Sequence, residues 1–118
     1  MKQTLIDILE TFGYPVSLQG SYEEGDELPE SFITFWNYET NLRFIDNEIQ
    51  ATEYVYRVYF YSTDPITVNS LPSKVRNSLM KNNFHCSGDY DLDSEVDKYL
   101  AREMEVRYLQ KNKIEEEN

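Results

Sequence analysis

The chain has 118 residues and a mass of 14.0 kDa, room for one compact domain with a core of its own and not for two. An apolar fraction of 40%, with 14% aromatics and ten tyrosines, marks a folding sequence despite 28% charged residues. Twenty-two acidic side chains against eleven basic ones leave a formal charge of -11, which opposes both a nucleic-acid backbone and an anionic membrane surface as partners.

Leu5, Ile8, Leu9 and Phe12 recur at i, i+3, i+4 and i+7, with Lys2, Asp7 and Glu10 mostly on other faces. That spacing predicts an amphipathic helix, and Gly13 closes it. Tyr14, Val16 and Leu18 then alternate at period two, and Pro15, which has no N–H to offer a ladder, sets this short strand at a sheet edge. Residues 20–30 hold Glu23, Glu24, Asp26, Glu27 and Glu30 with two glycines and Pro29 and no periodicity, the pattern of a mobile acidic loop. Over 31–38, Phe32, Thr34, Trp36 and Tyr38 alternate with Ser31, Ile33, Phe35 and Asn37, so both faces carry large apolar groups, as in a central strand.

Residues 41–50 keep Leu42, Phe44, Ile45 and Ile49 among Arg43, Asp46 and Glu48, which predicts an extended arm or a long hairpin connection. A strand over 51–62 is the strongest in the chain, with Tyr54, Tyr56, Val58 and Phe60 on one face and Val55, Tyr59 and Tyr61 on the other. Val68, Leu71, Val75 and Leu79 predict a second helix over 67–81, with Pro72 placed in its first turn and Asn82-Asn83 as the stop. A strand over 84–91, an acidic turn over 91–97 and a strand over 100–109 follow. In the last of these, Met104, Val106 and Tyr108 alternate with Glu103, Glu105 and Arg107, so one charged face is expected to be exposed. The expected fold is α+β, a mostly antiparallel sheet of four to five strands with two helices packed on one face, over a domain of 1–110 and a charged, disordered tail of 111–118.

Chemistry-bearing residues are sparse. Cys86 is the only cysteine, so an intramolecular disulfide and a Cys-only metal cage within one chain are excluded, and a reducing cytoplasm fits best. Residues 1–12 carry Asp7 and Glu10 and lack a small-residue cleavage site, unlike a signal peptide, and no stretch approaches a transmembrane span. His85 beside Cys86 is not a nucleophile pair, because neighbours on a strand point to opposite faces. Asp89, Asp91, Asp93, Glu95 and Asp97 resemble a calcium loop only superficially: Ser94 stands where the turn needs glycine, and Leu100 where a bidentate Glu is required. Gly13, Gly20, Gly25 and Gly88 never approach phosphate-loop spacing. The tyrosines of 54–61 do not read as a base-stacking platform, because 22–53 holds nine acidic residues against Arg43 alone. No cofactor, metal or catalytic residue is expected, and no enzyme. One charge asymmetry stands out: Lys74, Arg76 and Lys81 lie on the second helix with no acid between Ile66 and Cys86, so this helix can face a neighbour's acidic loop.

The order of these segments resembles the small tail-completion or tail-terminator proteins of long-tailed bacteriophages and prophages. The residues that carry the resemblance are the helix closed by Gly13-Tyr14-Pro15-Val16, then Phe32-Ile33-Thr34-Phe35-Trp36, and Phe44 to Glu48 ahead of Tyr54-Val55-Tyr56-Arg57-Val58-Tyr59-Phe60-Tyr61-Ser62. A helix ending in Asn83-Phe84, then Asp89-Tyr90-Asp91 and Glu103-Met104-Glu105-Val106-Arg107-Tyr108, complete it. The resemblance implies a structural subunit that closes into a ring, typically of six copies, at the head-proximal end of the tail tube. Its partners would be itself, the tail tube protein and the head-tail connector protein, met in the bacterial host cytoplasm during assembly and in the virion tail. By analogy the subunit contacts fall on Arg43, Phe44, Asp46 and Glu48 of the arm and on Lys74 and Arg76 of the basic helix. A rival expectation is an acidic intracellular inhibitor whose carboxylates mimic DNA phosphates in a basic cleft; another head-tail connector component is a more distant one.

Overall fold

The computed structural model describes residues 1–23, 25–92 and 98–111. Its elements in chain order are α1 (Lys2–Glu10), β1 (Val16–Leu18), β2 (Ser31–Ile45), β3 (Glu48–Ser62), α2 (Pro65–Lys81), β4 (His85–Leu92) and β5 (Leu100–Lys111). The sheet has five strands in the order β1-β2-β3-β5-β4. β1 runs parallel to β2 and every other pair is antiparallel, so the α+β fold has a mixed sheet with β1 at one edge. β3 occupies the centre and is paired along its length, which explains why both of its faces need bulky side chains.

Period-two alternation sorts the strands onto two faces. Ile33, Phe35, Tyr56, Val58, Phe60, Met104 and Val106 join Leu5, Ile8 and Leu9 of α1 and Leu71, Val75 and Leu79 of α2 in one buried cluster. Both helices therefore cover the same face of the sheet. α1 is only nine residues long, too short to hold its own helicity in water, so its packing through Leu5 and Leu9 is what keeps it folded.

α2 is defined at both ends. Asp64 caps it by accepting from the Ile66 N–H at 3.1 Å and from the Thr67 hydroxyl at 2.9 Å, and Pro65 fills the first helical position, where a missing N–H costs nothing. At the other end Asn83 is left-handed (φ 69°), the Phe84 N–H reaches Leu79 O at 3.0 Å and the Asn83 N–H reaches Met80 O at 3.2 Å. This is a Schellman closure in which asparagine stands in for glycine, with Phe84 and Leu79 both buried in the core. The helix begins two residues before the expected start, and Pro72, expected in the first turn, lies in its interior. Pro72 cannot donate to the Val68 carbonyl one turn back, and the helix keeps it because its ring is fully buried.

Residues 41–50, expected as an extended arm or a long hairpin connection, form the paired outer end of a long hairpin. β2 and β3 stay paired out to Ile45 and Glu48, joined by a tight turn in which Asp46 (φ 53°) and Asn47 (φ 66°) are both left-handed. That is the backbone of a type I′ turn, whose twist matches the flanking strands. Register shifts between Asn37 and Glu39 and between Arg43 and Phe44 bend the hairpin. β1 covers β2 only at Ile33 to Phe35, so among the described residues the outer edge of β2 from Asn37 onward has no strand beside it. The molecule is accordingly long, 55 × 28 × 22 Å.

Most of the expected acidic turn over 91–97 and the tail beyond Lys111 lie outside the described residues. Three of the five acids of the superficial calcium loop, Asp93, Glu95 and Asp97, are among them.

Candidate functional site

Two features stand at opposite ends of β2 and β3. At the Phe32 and Tyr61 end, the loop from Gln19 to Glu30 folds over the strands. Tyr22 meets Phe32 edge-on with ring centroids 5.0 Å apart, Phe32 stacks on Tyr61 at 4.8 Å, and the Tyr99 hydroxyl donates to Pro29 O at 2.6 Å. Thr34 donates to the Gln19 carboxamide, tying the start of the loop to β2. Between loop and sheet lies a cleft of about 490 Å³, walled by Tyr22, Leu28, Phe32, Tyr61 and Leu92.

The floor of the cleft is polar. Arg57 Nη1 contacts Glu103 Oε2 at 2.8 Å, with Glu103 almost wholly buried and Arg57 partly so. The guanidinium also lies 3.9 Å from the centre of the Tyr38 ring, a cation–π contact on the face that Tyr38 shares with Trp36. Trp36 Nε1 donates to the Tyr59 hydroxyl at 3.0 Å, and burial pushes the Tyr59 phenol above its ordinary value. The charged face expected of β5 is therefore not simply solvated: Glu103 sits beneath the cleft and pairs across to β3. Alternation in the sequence shows which face a residue takes but not that a distant loop will roof it.

At the other end is the hairpin tip. Leu42, Phe44, Ile45 and Ile49 are all exposed there, Phe44 at 57% and Ile45 at 60%. Behind the tip, Glu53 collects partners: Asn41 Nδ2 at 3.1 Å, Arg107 at 3.4 Å and Arg43 at 3.5 Å. The Asn41 hydrogen bond, opposed in part by burial and helped by Arg107 and Arg43, holds the Glu53 carboxyl below its ordinary range. Arg107 also binds Glu105 at 2.8 Å, and that bond is the main reason its guanidinium is held more firmly charged.

Of the residues singled out from the sequence, Arg43, Phe44, Asp46 and Glu48 come together on this tip, Asp46 as a turn residue and Glu48 opposite Ile45. Lys74 and Arg76 are on α2, on the helix-bearing side, with Lys74 exposed and Arg76 half-buried near Cys86. His85 pairs in register with Arg107 and Cys86 with Val106, so imidazole and thiol take opposite faces, the imidazole exposed and the thiol turned toward the core. Burial pushes the Cys86 thiol up to about 11, with Arg76 pulling weakly the other way, which is the opposite of what a nucleophile needs. Among the described residues no group of three or more His, Cys, Asp or Glu is placed to hold a metal ion, and no helix is long and apolar enough to cross a membrane.

The cleft itself was not legible as a site. Its residues come from the loop, β2, β3, β4 and β5, and the only local signal was the pair of aromatics at Phe32 and Tyr61, which alternation assigns to one face. In comparison with known proteins, no family model matches the chain, and no curated protein matches it.

Proposed function

We propose that the chain is a structural subunit that assembles with copies of itself into a ring of the kind that ends a long bacteriophage tail tube at its head-proximal end. The observation that carries this reading is the hairpin tip, where four large apolar side chains stand in water on a rigid two-stranded extension. Large apolar groups gathered and exposed at one end of a fold are of the kind that mark contact surfaces. A projecting tip that meets a different surface on its neighbour is a heterologous contact, and such contacts close rings.

In this reading Arg43, Phe44, Asp46 and Glu48 belong to the subunit interface. Lys74 and Arg76 on α2 supply positive charge to a neighbour whose loop over 20–30 is acidic. The ring stops tube polymerisation on the face toward the tail tube protein and docks the head-tail connector protein on the other. It turns over no substrate. The reading draws on the resemblance of segment order together with this exposed tip.

Deletion of the gene, followed by negative-stain electron microscopy of the lysate, tests it. Full heads beside unattached or overlong tails are expected. Normal joined particles would overturn the reading, and recovery of a nuclease or polymerase by the purified chain, lost in high salt, would favour an acidic inhibitor instead.

A further inference from the structure

We propose that the uncovered edge of β2 pairs with the same edge of a second copy of this chain, antiparallel and centred on Asn41, so that the two sheets continue into one another. This goes beyond the ring-subunit reading, because a two-fold contact closes on itself and gives a pair of chains.

The free backbone groups come first. Ile33 N–H bonds Pro15 O at 2.9 Å and Gln19 N–H bonds Phe35 O at 2.8 Å, so Ile33 and Phe35 turn toward β1 while Thr34 and Trp36 turn toward β3. Their partners on β3 are Tyr59 and Arg57. The same alternation along β3 turns Val55, Glu53 and Ala51 toward β2, where they pair with Glu39, Asn41 and Arg43. Thr40 and Leu42 therefore turn their N–H and C=O groups outward, and among the described residues no strand lies there to receive them. The pairing of Glu39 to Arg43 is regular, bounded by the register shifts between Asn37 and Glu39 and between Arg43 and Phe44. All but half-buried Asn41 are exposed. An open edge of this kind is a template for another strand.

The side chains select the occupant. When two copies of Glu39 to Arg43 run antiparallel about Asn41, Thr40 faces the partner's Leu42, and each such pair exchanges both backbone bonds. In that register Glu39 stands opposite the partner's Arg43 at a close, non-hydrogen-bonded position, and the two-fold axis repeats the pair. Slipping the register by two residues in either direction sets only Thr40 against Thr40 or Leu42 against Leu42 within the stretch and takes Glu39 away from Arg43. Register and charge thus agree on one arrangement.

Both charges are placed to make it. Arg43 has its side chain 60% exposed and reaches Glu53 through Nη2 alone, at 3.5 Å, so its guanidinium has donors to spare. Glu39 accepts from Asn41 Nδ2 at 2.7 Å, which holds its carboxylate on the face that Arg43 shares. A contact of five residues a side is small, so the pair forms in the upper part of the micromolar to millimolar range.

Charge exchange in the full chain tests this, with sedimentation up to about 1 mM as the readout and circular dichroism to confirm folding. Wild type is expected to reach dimers and nothing larger. Glu39→Arg and Arg43→Glu alone should each weaken association at least about tenfold, since each sets like charges opposite one another twice. An equimolar mixture of the two should form one-to-one dimers, because each chain then supplies the charge that the other lacks. Thr40→Pro, which removes an outward N–H and leaves the bonds to β3, should stay folded and monomeric. Register is read separately in a Cys86→Ser background under mild oxidation. Asn41→Cys should couple to itself readily, its α-carbons roughly 4.5 Å apart across the axis, whereas Leu42→Cys lies beyond the reach of about 7 Å. A wild type that stays monomeric to 1 mM, assembles past the dimer, or dimerises without coupling through position 41 would overturn the proposal. So would a mixture of the two charge variants that stays monomeric. The pair can stand when deletion of the gene leaves phage particles normal, and can fall when deletion yields unattached tails, so the two readings fail separately.

Discussion

Leu9→Ala tests whether α1 is seated on the sheet as a working part of the core. Leu9 is fully buried, beside Leu5 and Ile8, in the cluster that also holds both α2 and the sheet. Removing a buried leucine to the β-carbon costs roughly 2.7 to 5.0 kcal/mol, the upper values applying where the surroundings cannot collapse. α1 is a short helix near the chain start, free to settle toward the sheet, so the lower part of that range applies, about 3 kcal/mol. For 118 residues the total stability expected is about 6 to 18 kcal/mol, so the loss is a sixth to a half of it. Urea unfolding followed by far-ultraviolet circular dichroism should show the midpoint falling by roughly 1 to 3 M with little change in slope. Ile66→Ala is the control, because Ile66 is 76% exposed and its loss should stay within about 0.5 kcal/mol. A cost for Leu9→Ala below about 1 kcal/mol, or equal to that of Ile66→Ala, would refute the seating of α1 on which the account of its helicity depends.

Three further outcomes are expected. The Glu53 carboxyl is held below its ordinary value of 4.5, so its contribution to stability is full above that value and is lost as pH falls through the lower folded value; thermal melts from neutral to acid pH should show Glu53→Gln closing its deficit against wild type as the medium is acidified. Cys86, with its thiol raised to about 11, should react with an aromatic disulfide near pH 8 far more slowly than a free thiol, with only about one thiolate in a thousand, and its stabilising contribution should fade as pH rises past 9.0 toward that value. Fast labelling of the native chain would refute its burial. Asp64→Ala removes two acceptor contacts at the start of α2 and should cost about 1 kcal/mol in the same urea assay, with Asp64→Asn recovering most of it.

Local chemistry made much of the fold readable. Helical spacing of Leu5, Ile8 and Leu9, and of Val68, Leu71, Val75 and Leu79, marks faces that do become buried. Alternation over 54–61 and 32–36 sorts side chains onto the faces they occupy. The misplacement of Pro72 arose because a proline is a strong stop only when nothing pays for its ring, and here burial does. The hairpin tip was half legible: Asp46-Asn47 is a pair that tolerates left-handed backbone, yet without an adjacent glycine the turn signal is weak, and the alternation after it is broken at Gln50, the extra residue where Arg43 pairs with Ala51 and Phe44 with Ile49.

The sequence by itself determined where most helices and strands lie, which face of each is apolar, the acidic balance of the chain and the poverty of catalytic groups, since these follow from periodicity and composition within a few neighbours. Only the tertiary structure decided that β1 pairs in parallel, that Glu103 is buried against Arg57, and that the loop over 20–30 roofs a cleft. It also decided that the cleft and the exposed tip lie at opposite ends of one hairpin. Each of these depends on side chains far apart in the chain, where strand order and register, not local preference, determine which groups meet.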